Sequence, residues 1–330
     1  MKERTARRCL LLYLVVMVIL PGSAAGQKLM VGYSAVSAIS APFWISKDAG
    51  LFKDEGLDAA LIYISASSTM AQAMLAGEVA ISTANSQVIV DTGLQGSDLV
   101  AAGAIVNFVA LYVMAAPEIK TIADLRGKPV GVSRFGATSD FGMQMLLKKY
   151  GLEPVRDVPL IQIGGMPELA AALSKKSIYA AAMSFPMGLV AQQAGMKILA
   201  NLAKEDIPFV HLGLTTTRRF MKERRAQAKS FIRAYGKAVH FMHSRKEESK
   251  AIVARYGKIS DPVMLEGTMQ YGYDFVEKIP LVKREAFQAT LDEIGRKNPK
   301  AKQARPEQFY DNSLVQELIK EGFFTSLWGK

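Results

Sequence analysis

A pattern of alternating strands and helices occurs twice in the first two thirds of the chain, the second copy 99 positions after the first. Gly32 and Gly131 occupy the same point of the two copies, inside a short apolar strand. Asn85 and Ser184 each open the helix that follows a third strand. Each copy reads strand, helix, strand, helix, strand, helix, an order typical of a parallel sheet with helices on both faces and right-handed crossovers. The repeat therefore predicts an α/β chain with two lobes.

The rest of the chain connects or covers these lobes. The predicted strands of the two copies are 29–34, 59–64 and 79–83, then 129–133, 158–163 and 178–183. The apolar stretch 105–115 is predicted as the last strand of lobe one, leading into lobe two, and 209–216 as the strand that returns. Helical periodicity then predicts the helices 218–245, 247–256, 261–276, 283–295 and 313–321, which we expect to cover lobe one.

The first 26 residues have the three parts of a signal peptide. Basic residues precede an apolar run from Cys9 to Leu20, and small residues follow it up to Gly26. The run is short for a membrane span. The predicted organisation is thus a signal peptide (1–26), lobe one (27–115), lobe two (116–212) and a return to lobe one (213–330), in a protein exported to the periplasm.

The positions of the charged residues and of the single cysteine along the chain narrow the possible classes of function. The net charge of +11 falls to +8 without residues 1–26, and the stretch 218–330 alone carries +9. Because this excess lies on the C-terminal helices, away from the predicted ligand loops, it argues against a nucleic-acid partner. Cys9 is the only cysteine. The exported chain is therefore expected to have no disulfide, thiolate metal site or cysteine nucleophile.

Small polar residues fill the loops in which each copy is expected to bind a ligand. In α/β sheets, ligands lie beyond the carboxyl ends of the strands, at the N-termini of the following helices, where backbone N–H groups and the helix dipole favour anions. In lobe one these candidates are Ser37, Ser40, Ser67, Ser68, Thr69, Asn85 and Ser86. Each could instead serve only as a helix cap or turn residue.

In lobe two the segment 131–138 reads Gly-Val-Ser-Arg-Phe-Gly-Ala-Thr, one substitution from a P-loop spacing. Ala137 stands where the P-loop lysine would be, which argues against NTPase activity. The candidate ligand contacts here are Arg134, Gly136, Ala137, Thr138 and Ser139. The alternative is that Thr138 or Ser139 simply caps the helix.

Three further candidates complete the predicted rim. Ser184 opens a helix, Phe185 could stack on a ring or pack in the core, and His211 is the only histidine placed to face the cleft. His240 and His243 lie one turn apart on a basic helix, and we expect them on a solvated surface rather than at a metal. No catalytic set, metal site or cofactor site is predicted.

Three stretches resemble a known family, the type II periplasmic solute-binding proteins of ABC importers, in the group that binds nitrate, sulfonates, taurine and thiamine-pyrimidine precursors. They are 41–58 (Ala-Pro-Phe-Trp-Ile-Ser-Lys-Asp-Ala-Gly-Leu-Phe-Lys-Asp-Glu-Gly-Leu-Asp), 70–80 and 122–132. The resemblance implies a two-lobed clamp with two crossing segments and a ligand cleft between the lobes. It also implies export and delivery of the ligand to a membrane permease.

These inferences predict a receptor that closes on a small anionic or polar organic ligand, such as a sulfonate, a nitrate-like anion, an aromatic carboxylate or a pyrimidine. We expect it to act as a monomer, with the permease as its partner. The alternative is an enzyme on the same fold, a lyase, a dehydratase or a catalyst of pyrimidine-precursor chemistry. A fungal thiamine-precursor synthase of this fold relies on cysteines, and residues 27–330 have none.

Overall fold

The computed structural model describes residues 28–64 and 67–329, so the predicted signal peptide lies outside the described residues. The strands are β1 Leu29–Tyr33, β2 Ala59–Tyr63, β3 Ser82–Ala84, β4 Leu99–Phe108, β5 Tyr112–Ala115, β6 Val130–Val132, β7 Leu160–Gln162, β8 Ala180–Met183, β9 Lys197–Asn201 and β10 Pro208–Thr217. The helices are α1 Ala41–Asp48, α2 Leu51–Asp54, α3 Ser67–Leu75, α4 Ser86–Gly93, α5 Thr138–Lys149, α6 Met166–Ser174, α7 Met187–Gln193, α8 Arg218–Glu223, α9 Arg225–Ser244, α10 Lys246–Gly257, α11 Pro262–Phe275, α12 Arg284–Gly295, α13 Pro299–Gln303, α14 Ser313–Lys320 and α15 Phe323–Trp328. Short 3₁₀ turns cover Ala38–Ser40, Ile122–Leu125, Leu202–Lys204 and Pro306–Gln308.

The strands form two lobes with separate hydrophobic cores. In lobe one, β1 pairs with β2, and a second sheet has the order β3-β10-β4. In lobe two, a five-stranded sheet has the order β7-β6-β8-β5-β9. One core is made of residues from Val109 to Phe209. The largest core of lobe one combines residues between Leu29 and Ala110 with residues of α9, α10, α11 and α14. The predicted α/β fold is confirmed.

The sequence repeat has a packing origin at its two glycines. A Cβ atom on Gly32 would lie 2.5 Å from the Met70 sulfur, and one on Gly131 would lie 2.4 Å from Cδ1 of Ile178. In each copy the first strand must therefore lack a side chain at this point, because a neighbouring element packs directly onto its backbone. The same constraint thus acts on both lobes at equivalent positions.

The two crossing segments differ from the prediction in one respect. The apolar stretch 105–115 is not one strand: it divides at residues 109–111 into β4, in the lobe one sheet, and β5, which pairs antiparallel with β8 and β9 in the lobe two sheet. The returning strand β10 pairs antiparallel with β3 and β4. All antiparallel pairs between named strands involve β5 or β10, while β1-β2, β6-β7 and β6-β8 are parallel. A continuous apolar run cannot reveal such a break, because both halves are buried.

The C-terminal helices pack on lobe one. Helices α9 and α10 lie against α1, α14 contacts α9 and β4, and α12 contacts α4 and β10. Helix α9 buries one apolar stripe against lobe one, made of Phe231, Ile232, Tyr235, Val239 and Met242. The predicted helix 218–245 is interrupted at Arg224 and forms α8 and α9. Strand β9 and helices α2, α13 and α15 are absent from the sequence prediction.

The two histidines of α9 were expected on a solvated surface, but both are partly buried. Their rings pack edge-on against Trp328, with centroid distances of 5.2 Å for His240 and 5.4 Å for His243. Burial and nearby cations lower the pKa of His243. The C-terminal tryptophan covers this face, a contact that periodicity within α9 cannot indicate. Among the described residues, no helix combines the length and the apolar character that a membrane crossing needs.

Candidate ligand-binding cleft

A cleft of about 910 Å³ lies between the two lobes. Lobe one lines it with the ends of β1 and β2 and with one face each of α3 and α4. Lobe two contributes the loops that precede α5, α6 and α7, and the crossing strand β10 contributes His211 and Leu212. The cleft therefore lies where the carboxyl ends of the parallel strands meet the following helices, as the repeat predicts.

The N-terminus of α5 presents unpaired donors to this cleft. Its N-cap residue is Ala137, which has no side chain to cap the helix. Within the described part of the chain, the backbone N–H groups of Thr138 and Ser139 have no acceptor. Both residues line the cleft. The first turn of a helix carries partial positive charge, so these N–H groups can bind an anion or a carbonyl oxygen.

The predicted alternative, capping by Thr138 or Ser139, is wrong. The Ser139 hydroxyl lies 3.0 Å from the backbone N of Ser133 and 2.8 Å from its hydroxyl. The Thr138 hydroxyl lies 3.5 Å from the carbonyl oxygen of His211. Both hydroxyls are directed to neighbouring strands and loops, because Thr138 is already the first residue of the helix and the N-cap position falls on Ala137. The donors at this helix end consequently stay available.

The loop before α5 is held in place from both lobes. Gly136 has φ 78°, in the left-handed region that favours glycine. Its N–H donates to the Asp140 carboxylate at 2.9 Å, and its carbonyl accepts from Nδ2 of Asn85 at 3.2 Å. Burial raises the pKa of Asp140, and the Gly136 N–H lowers it. Arg134 and Phe135, in the same loop, are exposed at the mouth of the cleft.

His211 supplies a donor from the crossing strand. Its Nδ1 accepts the N–H of Ala110 at 3.2 Å, and the side chain is 8% exposed. Burial lowers the pKa of His211 to about 4, so the ring is neutral at neutral pH. Because Nδ1 is an acceptor, the proton lies on Nε2, which has no partner among the described residues. The ring therefore adds an N–H donor to the cleft next to the N-terminus of α5.

Eight of the sequence-predicted site residues line the cleft: Ser67, Arg134, Gly136, Ala137, Thr138, Ser139, Ser184 and His211. Their role as ligand contacts stays a prediction. Most belong to lobe two. The structure therefore brings together the second set of candidate loops more completely than the first.

The remaining lobe one candidates lie outside the cleft lining. Ser37 and Ser40 are buried, and their hydroxyls have no partner in the described chain.

The other lobe one candidates are engaged by other parts of the protein or lie on its surface. Asn85 caps α4 by accepting the N–H of Val88 at 2.9 Å. The Ser86 hydroxyl bonds to Thr290 of α12 at 2.7 Å. Thr69 is exposed outside the cleft lining, and the side chain of Ser68 lies outside the described atoms.

Phe185 is positioned by packing. Its ring lies 4.9 Å from Tyr112 and 5.9 Å from Tyr271, measured between centroids. Of the two alternatives that the sequence leaves open, the structure favours the core, because Phe185 joins an aromatic cluster rather than the cleft lining.

Several cleft residues were missed because they lie within helices rather than in the loops before them. On α4, Val88, Asp91 and Thr92 have the spacing that places three side chains on one face. Glu168 lies in the first turn of α6, beside Gly164 and Gly165, where a Cβ on Gly165 would lie 2.8 Å from its Oε2. The periodicity of α4 was readable from the sequence. Which side of the helix faces the cleft was not.

The lining combines apolar side chains with few charges. Val36, Tyr63, Leu75 and Phe135 line the cleft and are at least 40% exposed. The ionised side chains that line it are Arg134, Asp91 and Glu168. Within the described chain, no group of three or more His, Cys, Asp or Glu side chains could hold a metal ion.

The two lobes, the crossing strands and the cleft between them make up the periplasmic-binding-protein fold. The sequence profile of the family described as "NMT1/THI5 like" matches residues 38–249. The chain belongs to this NMT1/THI5-like family. At the level of sequence alone, no curated protein matches it.

Solved structures share the fold at low sequence identity. The alkanesulfonate-binding protein SsuA from Xanthomonas axonopodis pv. citri, bound to MOPS, has a TM-score of 0.71 at 17% identity, over 89% of this chain and 98% of that one. The periplasmic aliphatic sulphonate binding protein SsuA from Escherichia coli has a TM-score of 0.69 at 18% identity, over 91% and 99%. The periplasmic nitrate-binding protein NrtA from Synechocystis PCC 6803 has a TM-score of 0.73 at 13% identity, over 90% and 89%.

Proposed function

We propose that the protein is an exported solute-binding receptor of an ABC importer, which captures a small organic ligand between its lobes and delivers it to a membrane permease. The observation that carries the proposal is the cleft itself. Unpaired N–H donors of Thr138 and Ser139 and the Nε2–H of His211 point to one end of it. Membership of the NMT1/THI5-like family and the fold shared with sulfonate- and nitrate-binding proteins support the same role.

Closure would bend the chain at its two crossings. Residues 109–111 separate β4 from β5, and β10 follows β9 through 202–207. The two crossings contact each other, because the Ala110 N–H donates to the His211 ring. The Ala110 carbonyl accepts a hydrogen bond from the Tyr271 hydroxyl of α11. Hinges of this kind are a few residues between rigid elements. A ligand that contacts both lobes would therefore stabilise the closed form.

The volume and lining of the cleft favour an organic ligand with an apolar body over a bare inorganic anion. Sites for small organic molecules have volumes of about 300–1,000 Å³ and a mostly apolar lining with a few polar groups. This cleft has about 910 Å³ and is lined by Val36, Leu75 and Phe135 among other apolar side chains. Aromatic carboxylates, sulfonates and pyrimidines fit this description better than nitrate does.

The test is a ligand screen on the purified mature protein. A binding ligand should raise the melting temperature and reduce the radius of gyration in solution scattering, because it closes the cleft. Native mass spectrometry of protein purified without unfolding should show the same compound bound and chemically unchanged. Turnover of the compound would favour an enzyme instead, and no response to any sulfonate, carboxylate or pyrimidine would contradict the proposal.

Export and delivery need separate measurements. Cell fractionation should recover the protein outside the cytoplasm, with a mature N-terminus close to Gln27. Uptake of the identified ligand should require both this protein and a permease. An intact N-terminus on a cytoplasmic protein would contradict the export step without affecting ligand binding.

A further inference from the structure

Asp91 differs from most partly buried acids of the described chain in having no cation; the other exception is Asp140. Glu55 pairs with Arg233 and Lys237, and Glu293 pairs with Lys148. No Lys, Arg or His within the described chain forms an ion pair with Asp91. Its carboxylate is half-buried on the cleft face of α4. A cation supplied from outside the chain would therefore complete its environment.

The burial of this carboxylate is unfavourable in the ligand-free protein. Burial raises the pKa of Asp91, and only the Gln87 side chain opposes that effect. Asp140, the other buried acid without an ion pair, has two hydrogen-bond donors, the Gly136 N–H and the Gln144 amide. A partly desolvated carboxylate that faces a cleft is a feature of a recognition group rather than of a structural one.

A second polar group in the cleft is independently unpartnered. His211 is more than nine-tenths buried, lines the cleft and presents an Nε2–H that has no acceptor in the described chain. Together with the α5 donors it leaves a place for a ligand acceptor at the lobe two side. Asp91 belongs to lobe one. The lobe two side of the cleft thus calls for a hydrogen-bond acceptor on the ligand, and the lobe one side calls for a cation.

We propose that the ligand carries a protonated nitrogen group, an amine or an amidine, on an apolar body, and that Asp91 is the counter-ion which selects it. This inference rests on the proposed receptor function and specifies its ligand class. Glu168, at the mouth of the cleft, adds a second negative charge, whereas Arg134 is the one cation in the described lining. The lining therefore does not match a ligand that is only an anion.

Matched probes test the proposal without knowledge of the natural ligand. 4-(Aminomethyl)benzoate and 4-(hydroxymethyl)benzoate differ in the cationic group, and 4-amidinobenzoate and 4-carbamoylbenzoate form a second pair. In the wild type, the cationic member of a pair should bind at least about tenfold more tightly, because a charge-assisted hydrogen bond replaces a neutral one. Calorimetry and the shift in melting temperature measure this preference.

The variant Asp91→Asn should remove the preference, so that the affinities for the two members of a pair come within about twofold of each other. Asp54→Asn is the matched control, since Asp54 is exposed and lies outside the cleft lining. It should retain the full preference. Glu168→Gln distinguishes the two cleft acids: loss of the preference in that variant alone would overturn the assignment to Asp91.

The ligand-free variant supplies a second readout. Asp91→Asn should melt at the wild-type temperature or above it, because it removes an uncompensated charge. A marked decrease would identify Asp91 as a structural residue and overturn the proposal. Equal binding of both members of each pair would overturn it while leaving the receptor function intact. If no probe binds while another compound of the ligand screen does, the assignment of the ligand class is overturned and the receptor function stands.

Discussion

The two lobes share a backbone plan but differ in what they offer a ligand. In lobe two, the loops before α5 and α6 lie open to the cleft, and the N–H groups of Thr138 and Ser139 are free to donate. In lobe one, the cleft surface comes from helix faces, and its charged group is the acceptor Asp91. The repeated arrangement of strands and helices therefore determines where the cleft forms. The elements that pack on each lobe determine which of its residues line the cleft.

The C-terminal helices account for the difference. Ser86 of lobe one is bonded to Thr290 of α12, and Ala38 lies under Gly272 of α11, where a Cβ would come within 2.8 Å. Residues that would be rim groups in an uncovered lobe thus become core. Lobe two has no comparable cover over its α5 loop, since the C-terminal helices pack mainly on lobe one.

The largest expected effect concerns His211, which lies between the two rims. Its pKa of about 4 is below the usual value of 6.5, so folding below pH 6.5 requires the ring to lose a proton. Stability should therefore fall as the pH decreases from about 6.5 to about 4, by up to about 3 kcal/mol. His211→Asn keeps an acceptor for the Ala110 N–H and should flatten this dependence in urea unfolding at pH 7 and 4.5. The same slope in wild type and variant would assign the effect to other groups.

The next effect tests whether lobe two binds through its backbone. Thr138→Pro removes one N–H donor from the first helical position, where proline is well tolerated, and Ala137 has the extended backbone that precedes proline. Ligand affinity should decrease about 10- to 100-fold, because a charged or polar hydrogen bond is lost. Thr138→Val retains the N–H and serves as the control. Equal losses in the two variants would point to the side chain instead.

A smaller and symmetric effect is expected at the repeat glycines. Gly32→Ala and Gly131→Ala each force a methyl group into a contact of about 2.5 Å with buried side chains. Each should destabilise the protein by about 1–2 kcal/mol in denaturant unfolding. Similar values would show that the scaffold is equivalent in both lobes. A large difference would show that the packing around the two glycines is not equivalent.

The smallest effect is expected at the buried serines of lobe one. The Ser40 hydroxyl is fully buried without a partner in the described chain. Ser40→Ala should leave ligand affinity unchanged and alter stability between zero and a gain of about 1 kcal/mol. Melting and binding curves of one preparation provide both values. A clear loss of affinity would return Ser40 to the list of ligand contacts.

The sequence predicts the scaffold better than the site. Local periodicity and the repeated glycines are sufficient for the strands β1, β2, β6, β7 and β8. They do not give the helix starts of lobe two, since α7 has Pro186 rather than Ser184 as its N-cap and α5 has Ala137. The division of 105–115 was not predictable, because both halves are apolar and buried. Asp91 was not predicted because it lies on a helix face, whereas the ligand contacts were expected in loops. The burial of Ser37 and Ser40 depends on α11, more than two hundred residues later.

The order of the strands in the lobe one sheet has a consequence for how the protein folds. Strands β3 and β4 do not pair with each other, since β10 lies between them. The five strands of lobe two come from one uninterrupted stretch, 112–201. Because the chain is synthesised from its N-terminus, lobe two can complete its sheet before β10 is available to the lobe one sheet. The lobe that appears first is the one that finishes last, and its unpaired strands are exposed throughout that interval.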